Sequence, residues 1–396
     1  MKLMSLPLTY NIRNVFVRWR ATLSTIFGIG MLVLVYVCLQ SMAAGLESSS
    51  SDTGDSRNVI ILRNGSSDES SSQITREQFH RLKYSPEIAR DPEGRPLMSA
   101  DVLTVLSLPR LDGTGYGVVS VRGMTPQGMQ LRPQVRLVQG RWFTAGHGEV
   151  VTSTRLARRF GHCDVGGTLR AGGRELRVVG LFDGGNTAFD SELWMDAEEA
   201  QSVFELKDYS SVLARPASFE AAAALMHRIA SDKAQPLRTE MELHYYEQQT
   251  RAALPIKLLG EFLAAVMSAG AVFAAMNTMY ARVGARTREI GTLRVLGYRR
   301  RTILGNLLLE GAMLAGLGGV LGCVGALLVQ AWFLASGTSF GTMNFSTFQE
   351  VMFQFRLTPV ILLKGVAFAI AVGVAGSILP AFRAARLPVI AALKSV

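Results

Sequence analysis

Four long runs of apolar residues, one near the N-terminus and three after residue 253, constrain this chain more than any other feature. A helix rises about 1.5 Å per residue, so crossing a hydrocarbon core about 30 Å thick takes roughly 20 apolar residues. The runs at 24–46, 254–281, 303–335 and 358–380 all meet that length. The first has a rival reading as a cleaved leader, because Ser41-Met42-Ala43 resembles a small-residue cleavage site. Its length and the long basic segment before it favour a span.

The net charge of +10 would suit a nucleic-acid-binding surface, but its distribution does not. Residues 1–23 carry Lys2, Arg13, Arg18 and Arg20 and no acid, and 282–301 carry seven arginines against Glu289 alone. The tail adds Arg383, Arg386 and Lys394. Residues 47–253 hold 24 basic and 27 acidic residues, so the positive excess sits in short segments beside the apolar runs. Such segments mark the cytoplasmic side of a membrane protein. Both termini (1–23 and 381–396) and the loop 282–302 are therefore expected inside a bacterial inner membrane. The region 47–253 and the loop 336–357 are expected outside it. Leu6, Ile12, Val15, Phe16 and Trp19 among arginines make residues 6–20 an amphipathic segment suited to the cytoplasmic face.

The third run is rich in small residues, with Gly311, Ala315, Gly318, Gly319 and Gly322 among them, and the fourth repeats this with Gly365, Ala369, Gly373 and Gly376. Small residues let helix backbones approach closely in lipid. They serve either packing within the chain or a dimer seam. Glu310 lies within the third run, where an ionisable residue is a functional candidate. A pair with an arginine of the inner loop is the structural alternative.

The region 47–253 is long enough for an independent core and reads as α+β. Serine-rich stretches at 48–56 and 66–72 suggest mobile loops. Strands are expected at 58–63, 102–106, 118–122, 135–138 and 211–215, and a hairpin at 168–170 and 174–182 turning at Ala171-Gly172-Gly173. Thr75 with Gln78 forms a capping box, flanked by Ile74 and Phe79 as a hydrophobic staple. Further helices are expected at 154–160, after Asp196, at 219–229 and from Tyr245 onward, the last running toward the second span as a stalk. Cys163 is the one cysteine of this region, which rules out a disulfide within it.

Catalytic chemistry finds little support. His162-Cys163-Asp164 places three ligand types side by side, and adjacent residues rarely converge on one ion. Gly337-Thr338-Ser339-Phe340-Gly341 matches GxSxG, but it lies in a short loop and no histidine follows His244 to complete a triad. No GxxxxGK[ST] phosphate loop occurs. The chain is expected to be non-catalytic, with no metal or cofactor of its own.

The inner loop reads Arg286-Thr287-Arg288-Glu289-Ile290-Gly291-Thr292-Leu293-Arg294-Val295-Leu296-Gly297, then Tyr298-Arg299-Arg300-Arg301-Thr302-Ile303-Leu304. This resembles the R-T-x-E-I-G and L-G-x-x-R-R-x-I-L segments of ABC-transporter permeases of the MacB/LolC/FtsX kind (type VII). Residues 380–394, PAFRAARLPVIAALK, resemble that family's closing segment, and Asn11-Ile12-Arg13-Asn14 its opening one. Gly140-Arg141-Trp142-Phe143, Glu149-Val150-Val151 and Val178-Val179-Gly180 fit the family's outer domain. Ala285 and Leu387 replace acidic residues frequent in the family, and 47–115 matches loosely.

The resemblance implies a mechanism. Two permease chains, identical or paralogous, pair with two separate ATPase subunits that hold ATP and Mg²⁺. A short helix at 286–296 sits in the ATPase cleft, with Ile290 and Leu293 on an apolar groove and Arg286, Arg288, Glu289 and Arg294 in charged contacts. Gly291 and Gly297 belong to the same motif. The outer domain, a porter-like part interrupted by a β-rich part at about 117–204, moves to drive export or extraction from the far side, with a periplasmic adaptor as a further candidate partner. The alternative is an FtsX-like signalling module that activates a cell-wall hydrolase.

Overall fold

A computed structural model of the chain describes residues 19–250, 254–336, 340–343, 350–353 and 355–386. The amphipathic segment 6–20 lies almost wholly outside these residues, as do most of the closing motif after 386 and Gly337-Thr338-Ser339 of the GxSxG match. The chain divides into two compact units. One is built from the long helices, and the other comprises Gly45–Leu254 with Gly337–Gln354.

Helix α1 (Trp19–Ser51) leads into the second unit, which continues with β1 (Val59–Arg63), α2 (Arg76–Lys83), β2 (Met98–Pro109) and β3 (Tyr116–Met124). Then come α3 (Gln127–Gln130), β4 (Arg136–Gly140), β5 (Glu149–Ser153), α4 (Thr154–Ala157), β6 (Thr168–Ala171) and β7 (Arg174–Asp183). A 3-10 turn (Ala188–Ser191), β8 (Glu192–Asp196), α5 (Ala197–Val203), β9 (Ser211–Ala214), α6 (Phe219–Ser231), β10 (Leu237–Met241) and α7 (Glu242–Thr250) complete it.

The ten strands form one sheet in the order β10-β1-β9-β2-β3-β8-β5-β7-β4, with β6 also on β7. The segment 117–204 supplies β3 to β8, six of the ten strands of this sheet. The pairs β3–β8 and β5–β7 are parallel. A sheet covered on both faces needs strands apolar on both sides, and β1 shows this directly. Val59 and Ile61 enter one apolar core beneath α2, α5 and α6, while Ile60 and Leu62 enter another with Phe182, Phe189, Trp194, Tyr245 and Tyr246.

Local signals explain the element ends. Thr75 and Gln78 exchange both capping-box hydrogen bonds, and the Asp196 side chain accepts from the N–H groups of Glu198 and Glu199. Gly172 and Gly173, with φ of 53° and 73°, make the two-residue turn between β6 and β7. The serine-rich stretches are more ordered than their composition suggests. Ser48 and Ser49 are buried at the end of α1. Glu69, in the second stretch, is buried and anchors it to the sheet interior, because Arg122 grips its carboxylate at 2.9 and 3.1 Å.

Arg122 is the centre of a buried charge network. It binds Glu192 through two hydrogen bonds of 2.8 Å and reaches Asp101 at 3.2 Å. Arg132 also pairs with Asp101, and Ser211 Oγ donates to Glu69. Tyr245 Oη accepts the Glu69 N–H, which ties α7 to the same interior.

The helical unit contains α8 (Leu254–Gly284), α9 (Thr287–Val295), α10 (Arg300–Ser336) and α11 (Pro359–Ala385). The strands β11 (Phe340–Met343) and β12 (Glu350–Phe353) pair between α10 and α11 in the sequence. Among the described residues four helices, α1, α8, α10 and α11, are long and apolar enough to cross a membrane.

Candidate functional site

Within the helical unit, the residues singled out in the sequence fall into two groups. The first is the contact of α10 with its neighbours. A side chain at Gly373 would collide with Ala315, and one at Gly311 with Ser377. A Cβ at Gly319 would stand 2.8 Å from the Ala369 Cβ. At Gly318 and Gly322 it would meet the carbonyls of Ile26 and Gly30 on α1 at 2.8 and 2.5 Å. Gly311, Ala315, Gly318, Gly319, Gly322 and Gly373 therefore lie at close approaches inside one chain. Such approaches maximise dispersion where lipid supplies no hydrophobic drive.

The second group surrounds α9. Helix α8 ends at Gly284, and the chain turns through Ala285 and Arg286 into α9. At its other end Gly297 has φ of 92°, the Gly297 N–H reaches the Arg294 carbonyl and the Tyr298 N–H the Leu293 carbonyl. These two bonds make a Schellman motif, and its left-handed residue favours glycine. This gives Gly297 a structural reason, and it stops α9 just before the arginines that open α10.

Glu310, on α10, receives Arg282 from α8 at 3.2 Å and Arg286 from the start of α9 at 3.1 Å. Its side chain is 1% exposed. Arg282 in the last turn of α8 and Arg286 at the N-cap of α9 flank the turn between the two helices, and one carboxylate holds both. A buried charge is tolerated only when paired, and here the pairing fixes where α9 begins. Ile290 is 5% exposed and packs with Met279, Val283, Ile303, Leu307, Ala381 and Ala384. Gly291 is buried beside it.

The two faces of α9 are thereby assigned. Ile290 and Arg286, which the sequence placed toward an outside partner, point into their own chain, because α8, α10 and α11 supply the apolar wall and the counter-charge. The outward face carries Arg288, Glu289, Thr292, Val295 and Leu296, at spacings of one helical stripe. Val295 and Leu296 are 61% and 67% exposed. Leu293 and Arg294 lie at the margin between the faces, and Arg294 Nε is buried without a hydrogen-bond partner among the described residues. Burial numbers, not motif spacing, distinguish the faces, and the sequence signal that could have placed Val295 and Leu296 outward is their position beside the glycine stop.

Cys163 is buried, and burial pushes its thiol up to about 12. Its carbonyl accepts the Thr152 hydroxyl at 2.6 Å.

Comparison with known proteins agrees with this architecture. Residues 21–231, just over half of the chain, match the MacB-like periplasmic core domain, and 261–389 match the FtsX-like permease C-terminal model. A pyoverdine export ATP-binding/permease protein, PvdT of Pseudomonas syringae pv. tomato, is 37% identical over 149 residues, which cover 38% of this chain and 20% of that protein. A macrolide export ATP-binding/permease protein, MacB of Azoarcus sp., is 34% identical over 138 residues, covering 35% and 19%. These alignments span about a fifth of the relatives' length. The extracellular domain of the noncanonic ABC-type transporter YknZ from Gram-positive bacteria aligns at 17% identity with a TM-score of 0.34, covering 46% of this chain and 99% of that one. The two family matches together mark the chain as an ABC-transporter permease. The chain belongs to the MacB/FtsX family of such permeases.

Proposed function

We propose that this chain is the membrane subunit of an inner-membrane export system, in which a separate ATPase supplies ATP hydrolysis and this chain converts it into movement of the sheet unit. The observation that carries the reading is α9: a short helix whose inner face is fixed to three long helices and whose outer face presents Val295 and Leu296 beside Arg288 and Glu289. A partner seated on that face would push on helices bound through Ile290 and the Glu310 ion pairs. ATP and Mg²⁺ belong to the partner in this scheme, and two permease chains work with two ATPase copies. The substrate is taken from the extracytoplasmic side, with a periplasmic adaptor as a further partner.

The test is reconstitution of the chain with its ATPase in lipid vesicles, reading ATP turnover against panels of peptides, lipids, lipoproteins and siderophores. Stimulation by one class supports export. Turnover indifferent to every class, together with capture of a cell-wall hydrolase by the full-length chain, would replace export with signalling.

A further inference from the structure

The first turn of α7 closes on the segment through which the chain enters the sheet unit. Glu242 Oε2 accepts the Asp55 N–H at 3.0 Å and the Asn58 side-chain amide at 2.8 Å. The Glu242 N–H donates to the Asn58 carbonyl at 3.0 Å. Gly54 lies so close that a Cβ there would stand 2.6 Å from Leu243 Cα. Glu242, Tyr245 and Tyr246 form the buried face of this helix.

A charge count marks Glu242 as exceptional. Four buried carboxylates, Glu69, Asp101, Glu192 and Glu242, lie within electrostatic reach of two fully buried guanidiniums, Arg122 and Arg132. Glu69, Asp101 and Glu192 each form a salt bridge with one of these arginines. Among the described residues Glu242 forms none, and its carboxylate is held by a backbone N–H and a neutral amide. An unpaired anion is costly to bury, and a carboxyl so placed takes up a proton instead.

The groups around it leave that proton in place. Arg132, after α3, is committed to Asp101. Arg215, after β9, is committed to Asp55 at 2.9 Å and to Asn58 Oδ1 at 2.8 Å. Glu69 adds negative charge, and Tyr246 lies one turn along α7. Burial raises the Glu242 carboxyl, and Glu69 raises it further. Arg132 and the two hydrogen bonds oppose this, and the balance leaves it at about 7.

We propose that Glu242 is a proton-binding positioning residue: protonated, it keeps α7 clasped to Asp55–Asn58, and ionised, it loosens that clasp. Helix α7 is the last element of the sheet unit before the sequence passes to α8, so the clasp controls how firmly that exit is held. The inference rests on the sheet unit alone. Its failure would leave the export reading intact, and failure of export would leave the clasp intact.

The sign follows from linkage. A carboxyl raised in the folded state contributes its full stability below its unfolded value, here 4.5, and loses it as pH rises toward its folded value of about 7. Local opening therefore increases by up to about tenfold per pH unit across that window and then levels off. Hydrogen exchange on the full-length chain in lipid nanodiscs, from about pH 5 to about pH 8 and corrected for intrinsic exchange, measures this at Asp55 and at Glu242–Tyr246. The expected result is a progressive loss of protection in the wild type with a plateau near neutrality. Glu242→Gln should abolish the pH dependence, while the Gln78 amide in the capping box of α2 stays unchanged in both. Flat protection in the wild type overturns the proposal, and so does an unaltered pH profile in a folded Glu242→Gln chain. Should that variant fail to fold, the wild-type profile alone decides.

Discussion

Arg286 Nη1 stands 3.1 Å from Glu310 Oε2, and this ion pair joins the start of α9 to the buried side of α10. Arg282 reaches the same carboxylate from α8. Three helices thus meet at one buried anion. Whatever displaces α9 must either carry α8 and α10 with it or break a charge contact away from water.

Glu310→Gln keeps the shape of the side chain and removes the charge that two buried arginines share. The expected cost is roughly 3–5 kcal/mol, the usual penalty for taking away one partner of a buried pair. Thermal unfolding of the purified chain in mild detergent measures it. An unchanged midpoint would mean that other groups hold the arginines.

The two faces of α9 separate stability from coupling. Ile290→Ala should destabilise the helical unit by roughly 2–4 kcal/mol, because it opens a cavity among packed residues. Leu296→Asp should change stability by less than about 0.5 kcal/mol, as exposed substitutions do, yet reduce recovery of the ATPase with the chain. Glu289→Lys should uncouple ATP hydrolysis from function in a folded chain. Equal behaviour of Ile290→Ala and Leu296→Asp in both assays would remove the assignment of the faces.

Glycines of the long helices divide in the same way. Gly373→Val drives a side chain into Ala315 on α10 and should cost at least about 1–3 kcal/mol by overpacking. Among the described residues, nothing beyond the local backbone of α8 lies within 4 Å of a Cβ built at Gly270. Gly270→Val should therefore leave the unfolding midpoint of the isolated chain at or above the wild-type value. A reversed order would contradict the packing of α10 on α11.

Arg122→Met deletes the hub of the outer interior and leaves Glu69 and Glu192 without their guanidinium. A loss of roughly 3–5 kcal/mol is expected, and the segment around Glu69 should become the first site of limited proteolysis. Cleavage elsewhere, with this segment still protected, would show that Ser211 and Tyr245 suffice to hold it.

Much of this architecture was legible in the order of residues. The four apolar runs identified the long helices, since only helical length and composition matter for that reading. Thr75 with Gln78 and Asp196 with Glu199 marked helix starts because capping is local chemistry. The middle strands were harder. Glu192–Asp196 and Leu237–Met241 carry charged residues at alternate or terminal positions and are not among the strands expected from the sequence, yet β8 is central and buried, with Arg122 neutralising Glu192. The serine-rich stretch near Glu69 looked mobile for the same reason: a partner 53 residues away in the chain holds it. At α9 the motif was visible and its orientation was not. Arg286 and Ile290 turn inward on account of Glu310 and the apolar residues of α10 and α11, all distant in sequence.

The central claim is that this permease works through an ATPase seated on α9. The most direct test is affinity purification of the full-length chain from its native membrane in mild detergent, with mass spectrometry of what accompanies it. The account predicts a stoichiometric ABC ATPase, lost when Leu296 is changed to Asp. Recovery of the chain without any ATPase, under conditions that keep other transporters whole, would contradict it.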